Sequence, residues 1–253
     1  INREIENRTV LTVISKPVDR VVFVLGKYVG VAGALLLTLL YLAFVFLLVE
    51  RHGTLPTLSS PFHRPVLIFG IGGLAVGVGV AIWMNYFYGR SFPSAVLLAT
   101  TPILALAYLL SLFFRFDFSA DTLATSFRAD LWLAIVAMSM AILILTAVAV
   151  AASTRLGQVL TLAVTLGVFM AGMLSDWIFG RTIARVTEVL QRTQAEVSLL
   201  SADNVLLWIS RIGYAVVPNF QVFWLSDALT QRKPIPLSYM AEIIPYGLIY
   251  IVV

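Results

Sequence analysis

The sequence predicts an all-α polytopic membrane protein, built as a bundle of transmembrane helices. Hydrophobic residues make up 60% of the 253-residue chain and charged residues only 12%, about half the charged share of an ordinary soluble domain. Several apolar runs reach ~18 to 20 residues, the length that a helix needs to cross a bilayer. A soluble core cannot use so many apolar side chains, so we expect membrane lipids around most of the chain.

The charge and the cysteine content narrow the class of function. The formal net charge is +4, and cations outside the apolar runs suit attraction to anionic lipid headgroups. No basic platform with interleaved aromatic residues is present, so the sequence does not predict nucleic-acid binding. The chain contains no cysteine, which excludes disulfides, thiolate nucleophiles and cysteine-bound metal.

Five uncharged runs within residues 29–175 are predicted to cross the membrane completely. The link from Ser153 to Gly157 is too short for anything but a turn, so we expect the fourth and fifth runs to form an antiparallel hairpin. The complete spans are predicted at residues 29–49, 66–88, 93–114, 131–152 and 158–175, and a last span begins within residues 239–253.

Residues 176–238 mix charged stretches with short apolar ones, and we interpret them as an extracytoplasmic or interfacial helical segment. The second half of this segment predicts interfacial or re-entrant helices broken at Pro218. The first half predicts an amphipathic helix whose apolar positions recur near a period of 3.6, namely Ile183, Val186, Val189, Leu190 and Val197.

The two ends of the sequence predict a longer protein. The chain opens on Ile1, and its last apolar run stops at Val253 before it is long enough to span. We therefore expect more protein on each side. The opening residues do not show the pattern of a cleavable signal peptide.

The five complete runs contain no Asp, Glu, Lys, Arg or His. Ion-coupled carriers and proton pumps place ionisable residues at membrane depth, where burial is costly. The sequence therefore predicts that any driving force is imported. Glu242 lies near the start of the last span, and we interpret it as an interfacial residue.

Three apparent motifs receive plainer interpretations. The glycine-rich run from Gly70 to Gly79 has no preceding strand or acidic partner, so it predicts close helix packing through Gly73 and Gly77 instead of dinucleotide binding. "LGK" at residues 25–27 lacks the upstream glycine and the Ser or Thr of a phosphate-binding loop. His52 and His63 are too few for a zinc site, which usually has three or four ligands. We expect neither metal nor cofactor in this chain.

The opening segment, residues 1–28, predicts a short helix on the cytoplasmic surface. Asn2 is a good N-cap, and Pro17 ends the helix. The segment is placed in the cytoplasm because it is rich in cations, namely Arg3, Arg8, Lys16, Arg20 and Lys27. A plain membrane-anchoring amphipathic helix with snorkelling cations remains the alternative.

A specific string runs through this segment: Glu6-Asn7-Arg8-Thr9, Leu11, Ile14, Ser15, Lys16-Pro17-Val18, Arg20 and Leu25-Gly26-Lys27. It resembles the cytoplasmic segment of permeases in the type-two ATP-binding-cassette exporter family, which includes the copper-maturation permease beside nitrous oxide reductase. The turn within residues 149–157 resembles the family's cytoplasmic turn between its fourth and fifth helices. Residues 217–229 are similar to the extracellular helical hairpin before its last span.

The resemblance implies a coupling helix that docks into a separate ATPase subunit. The family's coupling positions carry over to Glu6, Thr9, Ser15, Pro17, Arg20 and Lys27. Two departures stand out: Arg8 occupies a position where the family commonly has Gly, and the hairpin at residues 66–114 is an addition to the minimal six-helix plan. Because the addition contains two spans, it leaves the opening segment and the turn within residues 149–157 on the same side of the membrane.

The implied function is the permease subunit of an ATP-driven exporter in the bacterial cytoplasmic (inner) membrane. Such a subunit is not itself an enzyme. It works as a homodimer or pseudo-dimer, and ATP and magnesium bind to the cytoplasmic ATPase partner. One alternative is a membrane-embedded enzyme that uses Asp117, Asp121 and Asp130 from one link. Another is a membrane anchor that recruits a cytoplasmic protein without transport.

Overall fold

The computed structural model describes residues 19–53, 61–193, 202–231 and 233–252, and their regular structure is helical. No strand is present in these ranges, and Phe114 and Ala120 form an isolated antiparallel bridge. The longer helices are α1 (Arg20–His52), α2 (Arg64–Tyr88), α3 (Phe92–Ser111), α4 (Ala129–Ser153), α5 (Gln158–Ser175), α6 (Arg181–Thr193), α7 (Ala202–Val216) and α8 (Leu237–Val252).

Five helical stretches are long and apolar enough to cross a membrane: α1 to α4, and α5 with its continuation. Each overlaps one of the uncharged runs that the sequence predicts as a span, although the bounds differ. The third helix ends at Ser111, short of Phe114, because the following backbone turns and Asp121 donates its N–H to the Phe113 carbonyl. The extent of the apolar run alone therefore overestimates the length of α3.

The first helix begins well before the predicted span. α1 is a single helix of 33 residues that starts at Arg20, so Arg20 and Lys27 belong to the same helix as the first span. Charge does not interrupt it here, because the Lys27 ammonium lies 5.0 Å from the centre of the Phe23 ring, one turn earlier.

The fifth helix also continues past its predicted end. A π-helical turn, Asp176–Gly180, joins α5 directly to α6. The described part of the predicted amphipathic stretch, up to Thr193, is thus part of one long helical element, and Val197 lies outside the described residues. α7 ends at Val216, two residues before Pro218, as expected from the restricted backbone before a proline.

The chain forms two compact units, one of residues 31–135 and the other of residues 1–30 with 136–253. In the first unit, α2 and α3 form a close hairpin. Gly77 is buried, and a Cβ placed on it would lie 2.8 to 2.9 Å from atoms of Thr100, including its Cα. A Cβ on Gly73 would lie 3.3 Å from the Ile103 side chain. The two backbones approach because these positions have no side chain.

In the second unit, α7 buries a narrow face and exposes large apolar side chains. Asn204, Leu207 and Ser210 are buried, whereas Trp208, Ile209 and Ile212 are more than half exposed. Exposed apolar side chains of this size are unusual on a helix of a soluble protein. They are typical of a helix whose outer face contacts lipid or another apolar surface.

Candidate functional site: a charged cluster and an apolar groove

The richest polar site is a charged cluster that joins the end of α1 to the link between α3 and α4. We define the cluster as Glu50, Arg51, Asp121, Ser126, Arg128 and Asp130, all within the unit of residues 31–135. The Arg51 guanidinium donates to Asp121 Oδ2 at 2.9 Å and to the Phe114 carbonyl at 3.0 Å. The end of α1 and the link after α3 therefore meet at one end of this unit.

Asp121 lies at the centre of the cluster, and its side chain is only 10% exposed. Besides Arg51, it accepts from the Ser126 hydroxyl at 2.7 Å, the Thr122 N–H at 3.0 Å and the Thr125 hydroxyl at 3.1 Å. These hydrogen bonds, above all those from Ser126 and Arg51, hold the pKa of the carboxyl far below its usual range.

Arg128 connects the cluster to both neighbouring helices. It donates to Asp130 Oδ2, in the first turn of α4, at 2.6 Å, and it also donates to Glu50 near the end of α1. The Asp130 carboxylate lies where the α4 dipole favours a negative charge. α1 and α4 are thus tied by ion pairs as well as by the packing of Phe44 against Trp132, whose ring centres lie 5.7 Å apart.

The link itself is a tight turn held by aromatic rings. Phe118 has a φ of 66°, a left-handed conformation that is uncommon for a non-glycine residue. Its ring packs on Phe69 and Phe114. The Asp117 carboxylate accepts from the backbone N–H and the hydroxyl of Ser119, which closes the turn.

His63 has a structural role at the start of α2. Its Nδ1 accepts from the Val66 N–H at 3.4 Å, in the N-cap position, and the residue is buried. Burial, together with the charges of Arg51 and His52, lowers the pKa of the imidazole. Nowhere in the part of the chain that the structure describes do three or more His, Asp or Glu residues form a cluster that could hold a metal ion.

The cluster is arranged to fix backbone more than to transfer protons. The acidic residues considered for an enzyme have separate partners: Ser119 for Asp117, Arg51 and Ser126 for Asp121, and Arg128 for Asp130. A carboxylate whose pKa is so low and whose oxygens accept several hydrogen bonds is a poor general base at neutral pH. The geometry therefore favours an ionic tie between helix ends.

An apolar groove of about 480 Å³ lies in the same unit. Its walls come from the last three turns of α1, the first three turns of α2 and Leu104 of α3. The lining residues are Tyr41, Val45, Leu48, Val49, His52, Gly53, Val66, Leu67, Gly70, Ile71, Leu74 and Leu104.

Most of the predicted coupling residues, Glu6, Thr9, Ser15 and Pro17, lie outside the described residues. Of the others, Arg20 is the exposed first residue of α1, and Lys27 lies over the Phe23 ring.

The beginning of α1 contacts α4 within the unit of residues 1–30 and 136–253. The Tyr28 hydroxyl donates to the Leu143 carbonyl at 3.4 Å.

The sequence interpretation missed the cluster. The sequence suggested Asp121 only as a candidate catalytic carboxylate, in one link with Asp117 and Asp130. One signal could have indicated the cluster. The links after the first and third predicted spans lie on the same side of the membrane, because successive spans alternate in direction, and together they contain equal numbers of cations and anions. Pairing across 70 residues, as between Arg51 and Asp121, has no local signature.

Comparison with protein-family models, with curated proteins and with solved structures finds no match to this chain. The family resemblance accordingly rests on the residues quoted from the sequence and remains a prediction.

Proposed function

We propose that this chain is the membrane-spanning permease subunit of an ATP-driven exporter of the ATP-binding-cassette type. A separate cytoplasmic ATPase binds ATP and magnesium, and residues 1–28 couple its closure to the spans. The subunit works as a homodimer or pseudo-dimer in a bacterial cytoplasmic (inner) membrane and does no bond chemistry itself.

The observation that carries the proposal is the continuity of α1. This helix runs for 33 residues from Arg20, one of the family-like coupling positions, to His52. At a rise of 1.5 Å per residue it is about 50 Å long. Its far end is tied by Arg51 to Asp121 and by Glu50 to Arg128. A helix that is held at one end and touched by a partner at the other can transmit a displacement as a rigid element.

The side-chain chemistry of the spans supports an imported driving force. Asp, Glu, Lys, Arg and His are absent from the five uncharged runs, and the ion pairs described above lie at helix ends. A carrier driven by protons or sodium would be expected to place such residues at membrane depth.

The contact between α1 and α4 supports the arrangement of the cytoplasmic features. Tyr28 is in the early part of α1, and Leu143 is near the middle of α4, ten residues before that helix ends at the turn from Ser153 to Gly157. Successive spans alternate in direction, so the start of α1 and this turn share one side of the membrane. That side is where the resemblance expects the ATPase.

The test is ATP hydrolysis by the full-length protein, co-expressed with a candidate cytoplasmic ATPase subunit and purified as a complex in nanodiscs. Charge reversal at two coupling positions, Glu6→Lys with Arg20→Glu, should reduce hydrolysis to the rate of the isolated ATPase subunit. The matched control exchanges two charges on residues placed on the other side, Asp227→Lys with Lys233→Glu, both exposed. It should leave hydrolysis unchanged.

Two outcomes would reject the exporter. One is equal hydrolysis by the coupling variant and the control, which would indicate a passive anchor. The other is the failure of any nucleotide-hydrolysing subunit to purify with the protein. Size-exclusion chromatography of both variants separates loss of coupling from loss of folding.

A further inference from the structure

The groove between α1 and α2 has the length of one membrane leaflet. Its α1 wall runs from Tyr41 to His52, which is about 17 Å at 1.5 Å per residue. One leaflet contributes about 15 Å to a hydrocarbon core of about 30 Å. The groove begins at the helix end that carries the charged cluster and extends over about the last third of α1. A single extended alkyl chain that enters from the headgroup level therefore fits this depth.

The walls of the groove are apolar, and the polar lining residues lie at its two ends. Tyr41 lies at the inner end and His52 at the outer end. Gly70 widens the middle, because a Cβ at this position would approach Leu48 to 3.5 Å and any longer side chain would enter the groove. In a bilayer, such a surface is solvated by acyl chains.

The outer end of the groove carries positive charge. Arg64 precedes the groove-lining residue Leu67 by three positions on α2, so the two share a helix face. Arg64 is exposed, and its guanidinium has no ion pair or hydrogen bond among the described residues. The other arginines of this end, Arg51, Arg115 and Arg128, each contact a carboxylate. Arg64 is thus available to an external anion.

His52 adds a second polar contact at the same end. Its Nδ1 lies 3.0 Å from the Gly53 carbonyl, and because a carbonyl only accepts, Nδ1 carries the proton. Nε2 is left without a partner in the described part of the chain. The ring packs against Phe62 at 6.1 Å between centres. An aromatic ring and a cation at the groove opening are typical of a site at the headgroup level.

We propose that this groove is a binding site for an anionic phospholipid of the surrounding leaflet. One acyl chain lies between α1 and α2, and the phosphate contacts Arg64 with His52 beside it. The site does not depend on the exporter proposal, because it requires only that α1 and α2 lie in a bilayer.

The experiment uses the full-length protein in nanodiscs that contain a photoreactive phospholipid with a diazirine in one acyl chain. Phosphatidylglycerol and phosphatidylcholine probes with the same chain are compared. Labelled protein is quantified by intact mass, and the labelled peptides are identified. We expect labels on the groove walls of α1 and α2, and stronger labelling by phosphatidylglycerol than by phosphatidylcholine.

Matched variants test the two halves of the site. Gly70→Leu fills the groove and should reduce labelling of its walls to the background of exposed positions. Gly72→Leu, two residues away with open space around its Cα, should leave it unchanged. Leu74→Trp and the exposed Val76→Trp form a second pair in case a glycine variant does not fold.

Arg64→Gln should cut the preference for phosphatidylglycerol about fivefold, the factor that corresponds to about 1 kcal/mol per cation near an anionic headgroup. Arg90→Gln is its control at the other end of α2.

Equal labelling of the Gly70 and Gly72 variants, with equal labelling of the tryptophan pair, would overturn the proposal. An unchanged headgroup preference in Arg64→Gln would overturn the assignment of the phosphate contact. Labelling of the groove by both probes alike would identify a nonspecific lipid surface and would also contradict an anionic site.

Discussion

The link between α3 and α4 and the turn between α7 and α8 are both irregular, yet different chemistry holds them. Arg51 and Asp121 form an ion pair in the first. In the second, Asn219 donates its backbone N–H to the Tyr246 hydroxyl at 2.7 Å and its side-chain amide to the Tyr214 hydroxyl at 3.0 Å. Neutral hydrogen-bonding groups therefore hold the second turn, whereas charged groups hold the first link.

The position along the spans explains the difference. Residues beside Asn219 pack on α5, where a Cβ on Gly172 would approach the Pro218 carbonyl to 2.5 Å. Gly172 is about 21 Å along the helix from Gln158, and the bilayer core is about 30 Å thick. On the proposed topology this turn lies at membrane depth, whereas the α3–α4 link follows the end of its span. Backbone at membrane depth must be satisfied within the protein, and charge there is costly. On this topology, ion pairs hold the irregular backbone near water, and neutral hydroxyl groups hold the irregular backbone within the bundle.

The largest effect is expected in the charged cluster. Asp121→Asn leaves the Arg51 guanidinium, whose side chain is only 18% exposed, without its charged partner. We expect a larger fall in thermal stability than for any variant below. Asp117→Asn, on an exposed residue that pairs only with Ser119 among the described side chains, is the control and should change little. Equal falls would show that the ion pair does not distinguish this link.

The pH dependence of stability tests the ion pair between Arg51 and Asp121 in a second way. The folded pKa of Asp121 is depressed, so its contribution to stability is fully present above its unfolded pKa of about 3.9 and is lost as the pH falls toward the folded pKa. The gap in melting temperature between wild type and Asp121→Asn should narrow as the pH is lowered from 6 to about 3. A constant gap would contradict the assignment of Asp121 as the ionised centre.

The next effect is expected at the neutral turn. Phe220 is 2% exposed and packs against Gly172 and Phe169. Phe220→Ala should destabilise the protein by about 3 kcal/mol, the lower part of the range for buried aromatic residues, because lipid contributes little hydrophobic driving force. Trp208→Ala, at an exposed aromatic residue of α7, serves as the control in a thermal unfolding assay. A similar cost at both positions would mean that the turn is not a packed centre.

A smaller effect is expected in the α2–α3 hairpin. Gly77→Ala places a methyl group within 2.9 Å of the Thr100 backbone and should cost about 2 kcal/mol through overpacking. Gly79→Ala, with open space at its Cα, should be neutral or slightly stabilising. The difference between the two melting temperatures is the measurement. Equal melting temperatures for the two variants would show that the close contact between Gly77 and Thr100 does not contribute to stability.

The smallest effect is expected from the removal of one hydroxyl. Tyr246→Phe leaves the Asn219 N–H without its acceptor in a part-buried site and should cost about 1 kcal/mol. Tyr250→Phe removes a hydrogen bond from an exposed hydroxyl to the Ala215 carbonyl and should cost less. Faster hydrogen exchange at the Asn219 amide in Tyr246→Phe alone would support this order. Equal exchange in the two variants would contradict it.

Much of the fold could be predicted from local pattern, and most of the site could not. The runs that contain Leu47 or Ile144 are apolar over a full span length, and each became part of a long helix. The start of α1 at Arg20 escaped prediction because a cation beside an aromatic ring can remain within a helix. The inward face of α7 was also missed, because hydrophobicity alone does not distinguish lipid from core.

The sequence by itself determined that the chain is helical and which stretches are long and apolar enough to span, because hydropathy and span length are properties of contiguous residues. It also predicted small residues at a helix contact. Only the tertiary structure decided that Arg51 would meet Asp121 and that Asn219 would meet Tyr246. These pairs depend on the separate folding of distant segments, and the free energy of a polar contact depends on the surroundings in which the completed fold places it.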